Sequence, residues 1–203
     1  MNSGSGDLAL LSLRLASPVP ADGYFRTLSL STRVPAPGEH LNVVGVRFRE
    51  GPGSVDPVTG VTDAVEGTGL MFVSSGAAGA FSFPAHDSVL APYPTIEILS
   101  GTFGGMSGGA VLDTSCAVVG IISRGWRTDD REGPTLAAWW TPLLLWRPAA
   151  SGLPGVDEPG TPVFEMRTVN ILGRENVDVG PGGQFTVSGC EFPGEGEPAG
   201  MDS

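Results

Sequence analysis

Residues 101–125 read GTFGGMSGGAVLDTSCAVVGIISRG, and this stretch decides the fold. It begins with a glycine-rich loop at 101–110 and continues into AVL, a turn at 113–115 and the apolar run AVVGIIS at 117–123. A short apolar run bounded by turn residues is typical of a buried strand. We therefore predict a β-hairpin with a glycine loop directly in front of it.

Further strand-like segments precede this hairpin. They are LALLSLRL at 8–15, LNVVGVRF at 41–48, GLMFVSS at 69–75 and IEIL at 96–99. The chain holds 31 Gly and 18 Pro among its 203 residues, a density of helix breakers that argues against a helix bundle. We predict an all-β barrel over about residues 25–147. Thr141 and Pro142 supply an N-cap hydroxyl and a first-turn proline, so TPLLLW is expected to form a short helix that closes the barrel.

Charge and composition argue against several classes of function. The net charge is −11, from 22 acids against 11 bases that are all Arg. Nucleic acids and anionic membranes bind through a surplus of positive charge, so we expect neither as a partner. No apolar run approaches the roughly 18 residues that span a bilayer, and no base precedes the apolar stretch at 8–16, so no signal peptide is predicted. The two cysteines lack the CxxC spacing of zinc and redox sites. The acids near Asp129 are interpreted as the solvated tip of a hairpin, so we expect no metal or other cofactor.

Composition also divides the chain into three parts. Residues 25–150 contain the predicted barrel, and residues 1–24 hold one strand and a connecting segment. Residues 151–203 contain 11 Gly, 6 Pro, nine acids and two Arg. Two segments of this last part are strand-like, PVFEMRTVNIL at 162–172 and QFTVSG at 184–189. We predict a small β extension that is disordered from about residue 193, because the tail has little to bury.

One site in the sequence has chemical specificity: Gly105-Met106-Ser107-Gly108-Gly109. A serine nucleophile needs an exposed hydroxyl beside backbone N–H groups that converge on the developing oxyanion. Gly105 can adopt conformations closed to other residues, so its N–H and that of Ser107 can point into one hole. Because glycine is frequent in this chain, the bare G-x-S-x-G pattern is weak, and a purely structural turn is the alternative.

The loop resembles that of the trypsin-like (chymotrypsin-fold) serine peptidases, especially bacterial members, whose nucleophile loop reads GxSGG before a VVGI strand. DLALL at 7–11 is similar to the family's D-[IL]-A-L-L segment, which carries the triad aspartate, and PGEHLNVVGV at 37–46 is similar to its G-x-x-V-x-V-x-G strand. The three motifs follow the family's order. The resemblance implies the Greek-key barrel of the family's second domain. It also implies serine endopeptidase activity through an acyl-enzyme, a peptide or protein substrate, and a secreted or periplasmic location.

The resemblance assigns roles to individual residues. Ser107 takes the role of the nucleophile, and Asp7 that of the carboxylate that orients the general base. The N–H groups of Gly105 and Ser107 take the role of the oxyanion hole. Gly101, six residues before the serine, matches the base of the primary specificity pocket. The strand edge that pairs with the substrate backbone corresponds to Ser123, Arg124 and Gly125.

The histidine departs from the family's pattern. The family places its general base well N-terminal to the aspartate, whereas only six residues precede Asp7. The chain contains only His40 and His86, and each is expected to be an ordinary surface or turn histidine. We therefore expect most of the first barrel to be missing and the chain as given to be inactive.

Two other classes of protein compete with this reading. One is a non-catalytic peptidase-like protein that uses the barrel to bind peptides, and the missing base makes it the main alternative. The other is an α/β-hydrolase, whose nucleophile elbow also reads G-x-S-x-G. It is disfavoured because no histidine follows Ser107 and the residues after it are strand-like.

Overall fold

The computed structural model describes residue 8 and residues 27–50, 54–55, 58, 62–64, 67–128, 131–147, 160–166, 169–180 and 185–188. Outside the described residues lie the segment 1–24 apart from Leu8, which includes Asp7, and also Asp129 and the predicted tail from residue 193.

Among the described residues, no helix is long and apolar enough to cross a membrane. The same residues include no group of His, Cys, Asp and Glu suited to a metal ion.

The described residues form strands and short 3-10 helices. The strands are β1 (Leu30–Ser31), β2 (His40–Glu50), β3 (Ser54–Val55), β4 (Thr62–Ala64), β5 (Gly67–Ser82), β6 (Thr95–Ile98), β7 (Ala110–Leu112), β8 (Val118–Thr128), β9 (Arg131–Trp139), β10 (Ile171–Leu172), β11 (Val177–Val179) and β12 (Phe185–Val187). The predicted hairpin is therefore β7 and β8, preceded by the glycine loop. The predicted strands at 41–48, 69–75 and 96–99 correspond to β2, β5 and β6.

Six of these strands close into an antiparallel barrel, so the all-β barrel prediction is confirmed. Their order is β8-β7-β2-β5-β6-β9, and β9 pairs back onto β8 to close the ring. The register of β2 against β5 runs without a break from His40 opposite Ala77 to Glu50 opposite Gly67. The register of β8 against β9 shifts twice, after Ile122 and after Gly125.

Alternation along the strands fills the barrel with apolar side chains. On β2, Leu41 and Val43 are fully buried, whereas Asn42 and Val44, which point the other way, are half-buried. The main core also takes large side chains from β6, the loop before β7, β9 and the segment that follows β9. They are Ile96, Ile98, Met106, Trp139, Trp140 and Leu144, whereas Leu136 packs in a smaller cluster with Ala91, Tyr93 and Ala138.

A 3-10 helix at Thr141–Leu145 follows β9. Its N-cap is Trp140, so the predicted N-cap role of Thr141 is wrong. The Thr141 hydroxyl donates instead to the carbonyl of Thr32 at 3.4 Å, and the Trp140 indole donates to the carbonyl of Ser31 at 2.7 Å. Tertiary hydrogen bonds to the segment around β1 thus replace the local cap.

The described part of the C-terminal extension packs on the barrel. β10 pairs in parallel with β1, which pairs in parallel with β8, and Ile171, Val177 and Val187 join the main core. The strand predicted over 162–172 is wrong for most of its length. Val163–Glu165 is a 3-10 turn, and among the described residues of the segment only Ile171–Leu172 forms a strand, β10.

The turn between β7 and β8 is held by the buried carboxylate of Asp113. Its Oδ1 accepts hydrogen bonds from the amides of Ser115 (2.9 Å) and Ala117 (3.0 Å) and from the Ser115 hydroxyl (2.6 Å). Its Oδ2 accepts from Arg33, which also makes a bidentate pair with Glu39. Burial alone would raise the pKa of Asp113, but the hydrogen bonds from Ser115, Arg33 and Ala117 together lower it. The hydrogen bond with Arg33 is the main reason that the pKa of Glu39 is also lowered.

Candidate functional site

Ser107 lies in the loop that leads from β6 to β7 across one end of the barrel. Gly105 (φ +96°) and Gly108 (φ +87°) are both in the left-handed region, which side-chain-bearing residues rarely adopt. The Met106 amide donates to the Phe103 carbonyl at 3.2 Å, and the Gly109 amide donates to the Met106 carbonyl at 3.0 Å. Two successive tight turns therefore leave the Ser107 side chain exposed.

Met106 and Gly109 of this loop contact β2 and hold the loop close to that strand. The Met106 side chain is 1% exposed and lies over Gly45, where an added Cβ would be 2.8 Å from the Met106 Cβ. A Cβ on Gly109 would overlap the Val44 carbonyl oxygen and lie 2.9 Å from the Gly45 Cα. The loop approaches the strand closely because neither Gly45 nor Gly109 has a side chain.

The Ser107 hydroxyl and two amides take no part in the hydrogen bonds that hold the loop together. Ser107 Oγ donates to the carbonyl of Ser123 at 3.2 Å, whereas the Gly108 amide donates to Ile122 on the same strand at 2.8 Å. Within the described part of the chain, the amides of Gly105 and Ser107 donate no hydrogen bond. Two unused N–H groups next to an exposed hydroxyl are what stabilisation of an oxyanion requires.

The predicted substrate-binding edge lies on β8, directly beside Ser107. β7 pairs with β8 only as far as Ile121, whereas β9 covers the opposite side of β8 as far as Thr128. Ser123 accepts the Ser107 hydroxyl on its carbonyl, and beyond it no described strand pairs with the β7 side of Arg124 and Gly125. Ser123 itself is buried, and its hydroxyl makes a short hydrogen bond with the Tyr93 hydroxyl. This edge is open to an added peptide strand.

The predicted specificity pocket lies between the start of the loop and Gly125. A Cβ on Gly125 would be 2.6 Å from Thr102 Oγ1, so the Thr102 side chain reaches across to β8. Thr135, on β9, is fully buried; its Oγ1 donates to the Ser100 carbonyl at 2.7 Å and lies 3.2 Å from Thr102 Oγ1. Gly101, the expected base, accepts a hydrogen bond on its carbonyl from Ser74 at 3.0 Å. The residues next to Gly125 at the predicted position of the pocket therefore include the uncharged hydroxyl of Thr102, which the buried Thr135 holds in place.

Both histidines lie in described regions, and neither hydrogen-bonds to Ser107. His40 is the exposed first residue of β2. His86 is exposed in the loop before β6, and its Nδ1 lies 3.1 Å from the Ser82 hydroxyl. Asp7 is outside the described residues, but Leu8, next to it in sequence, packs against the cluster of Ala91, Tyr93, Leu136 and Ala138.

Sequence reasoning did not single out Tyr93, Thr102, Thr135 or Gly45. Gly45 did carry a signal, because a glycine inside a strand indicates a close approach of backbone or side chain. The other three have no local motif, since the fold brings them to the site from β9 and two loops.

A scan against models of known protein families and a search of curated proteins found no match for this chain.

Proposed function

We propose that the barrel is the second domain of a trypsin-like serine endopeptidase, with Ser107 as its nucleophile. The observation that carries this proposal is the position of Ser107. Its exposed hydroxyl donates to the Ser123 carbonyl, at the point where β8 runs on past its pairing with β7, and the amides of Gly105 and Ser107 in the same loop donate no hydrogen bond within the described part of the chain. A nucleophile, an oxyanion site and a strand edge for the substrate are the parts that acyl transfer to serine needs.

The strand order also supports the proposal. Among the barrel strands, β2, β5 and β6 come first in the chain and are neighbours in that order. The fourth, β7, lies beside the first, and this order supports the Greek-key arrangement that we propose. The proposal also takes the five-residue 3-10 helix at Thr141–Leu145 as the counterpart of the family's C-terminal helix.

In the proposed reaction, a peptide lies along the β8 edge with its scissile carbonyl carbon at Ser107. A base removes the proton from the hydroxyl as Oγ attacks that carbon, and the Gly105 and Ser107 amides hold the resulting oxyanion. The same base returns the proton to the leaving amine, and water then hydrolyses the acyl-enzyme. Asp7 is proposed, from the family resemblance, to orient the base.

The base itself is proposed to be a histidine outside residues 1–203. His40 and His86 make no hydrogen bond to Ser107, and a serine hydroxyl is a weak nucleophile without a partner that takes its proton. We therefore expect the 203-residue chain to bind peptides but not to hydrolyse them.

A second candidate function is peptide binding without catalysis. The uncovered β8 edge and the absence of a hydrogen bond from either histidine to Ser107 favour it for the 203-residue chain. Sequence upstream of Met1 in the genomic reading frame separates the two candidates. A histidine-bearing segment there favours the peptidase, and its absence favours the peptide-binding protein.

A hydrolysis assay tests the proposal. The chain and a version extended upstream to include a histidine-bearing segment are incubated with a mixture of unstructured peptides, and products are identified by mass spectrometry. We expect cleavage by the extended version only, and none by its Ser107→Ala variant. Ser107 makes one side-chain hydrogen bond and is exposed, so this variant should fold normally. Equal cleavage by the Ser107→Ala variant would rule out Ser107 as the nucleophile.

A further inference from the structure

Ser107 is flanked on its second side by β2. In the sheet order β7 lies between β8 and β2, so the loop that leads into β7 passes between the ends of those two strands. On one side, Ser107 Oγ bonds to Ser123 of β8. On the other side, a Cβ placed on Gly105 would be 3.9 Å from the Cγ of Arg47 on β2. Arg47 and the β8 edge therefore lie on opposite sides of the loop that carries Ser107.

Aromatic contacts hold the Arg47 side chain near this loop. Its guanidinium carbon lies 6.0 Å from the centre of the Phe103 ring, within the range of a cation–π interaction. Phe103 in turn packs against Phe72, with 5.2 Å between ring centres. This stack limits the positions of an exposed side chain, so less conformational entropy is lost when Arg47 binds a ligand.

Arg47 has no acidic partner in the described part of the chain, although the protein carries twice as many acids as bases. Both ion pairs found there belong to Arg33. The exposed guanidinium of Arg47 therefore keeps its planar donors available to a ligand close to the loop of Gly105, and this favours a carboxylate.

We propose that Arg47 recognises an acidic side chain on the leaving-group side of a bound peptide, at the residue that follows the bond held at Ser107. This inference rests on the proposed function, in which the preceding residues of the peptide occupy the β8 edge. A peptide that continues past Ser107, away from Ser123, reaches the β2 side, where Arg47 is an exposed cation. The selected partner is a peptide with Asp or Glu at that position.

Binding to the chain of 203 residues tests the inference without the need for catalysis. Two capped peptides, Ac-Ala-Ala-Pro-Ala-Asp-Gly-amide and its Asn counterpart, are titrated into isotope-labelled protein while the amide resonances of Gly105 and Ser107 are followed by NMR. An exposed ion pair contributes about 0.2–1 kcal/mol, so we expect the Asp peptide to bind up to about fivefold more tightly at low salt. The Arg47→Gln variant should bind both peptides equally, and Arg47→Lys should retain part of the preference.

A matched control is Arg147→Gln, which removes the same charge from an exposed arginine whose side chain donates to the Gly160 carbonyl. This variant should keep the full preference for the Asp peptide. Loss of the preference in the control, or equal binding of the two peptides to the unmodified chain, would overturn the role of Arg47 and leave the proposed function standing. Failure of both peptides to shift the Gly105 and Ser107 resonances would overturn the proposed function and the inference that rests on it.

Discussion

Replacement of Asp113 tests whether the turn between β7 and β8, next to the nucleophile loop in sequence, depends on one buried carboxylate. In the Asp113→Asn variant, Oδ1 remains available to the Ser115 and Ala117 amides, but an amino group replaces Oδ2 opposite Arg33. The Asp113→Ala variant removes both sets of partners. The two variants therefore separate the ion pair from the turn.

The expected magnitudes follow from these contacts. Asn removes charge-assisted hydrogen bonds to Arg33, but the Arg33 side chain is 39% exposed and stays paired with Glu39, so we expect a loss of about 1–2 kcal/mol. Ala also leaves the amides of Ser115 and Ala117 without their acceptor, and the Asp113 side chain is only 4% exposed. We expect its loss to be about 3–5 kcal/mol.

Urea denaturation as a function of pH measures both effects. The pKa values of Asp113 and Glu39 are lowered in the folded state, so their contribution is complete above the unfolded values, at about pH 5 and higher, and is lost as the pH falls below about 4. The Asn variant should lose less stability on acidification than the unmodified chain. Equal unfolding free energies for the two variants, or the same acid dependence in all three proteins, would refute this account of the turn.

Two further variants test how the site is shaped. Gly45→Ala should displace Met106 and cost about 1–3 kcal/mol by overpacking, with weaker peptide binding by NMR. Gly104→Ala, which meets no atom within 4 Å, is its control, and equal effects of the two would contradict the positioning role of β2. If the extended version is active, it should cleave after small or apolar residues. Thr102 lies close to Gly125, and Gly101, the expected base of the specificity pocket, carries no carboxylate to pair with a basic side chain. Thr102→Gly should extend cleavage to larger residues in a peptide-library assay, whereas strict cleavage after Arg or Lys would contradict the prediction.

Much of the barrel is predictable because its strands bury alternate residues. Leu41 and Val43 face the core, and the run at 117–123 is apolar because successive side chains such as Val118 and Val119, which point to opposite faces of the strand, are both buried. Elements outside this pattern were predicted less well. Thr141 has the local chemistry of an N-cap, but the Thr32 carbonyl accepts its hydroxyl instead, and Val163 buries its side chain from a 3-10 turn rather than a strand.

The candidate site is predictable only where it is local. Gly105 and Gly108 carry the left-handed turns that the pattern around Ser107 indicates, because glycine is the residue type that adopts them readily. Tyr93 and Arg47 come from other elements, and only the closed barrel brings them beside the loop. Their parts in the site depend on tertiary contacts that sequence spacing does not encode.

The central claim is that Ser107 is a nucleophile whose base lies outside the 203-residue chain. Labelling with a fluorophosphonate serine probe, followed by peptide mapping, tests it most directly, because the probe reacts with an activated serine hydroxyl. The account predicts no labelling of residues 1–203 and labelling at Ser107 in the version extended to include a histidine. Robust labelling of the short chain that is abolished by His40→Ala or His86→Ala, or labelling of the extended version at a different serine, would contradict it.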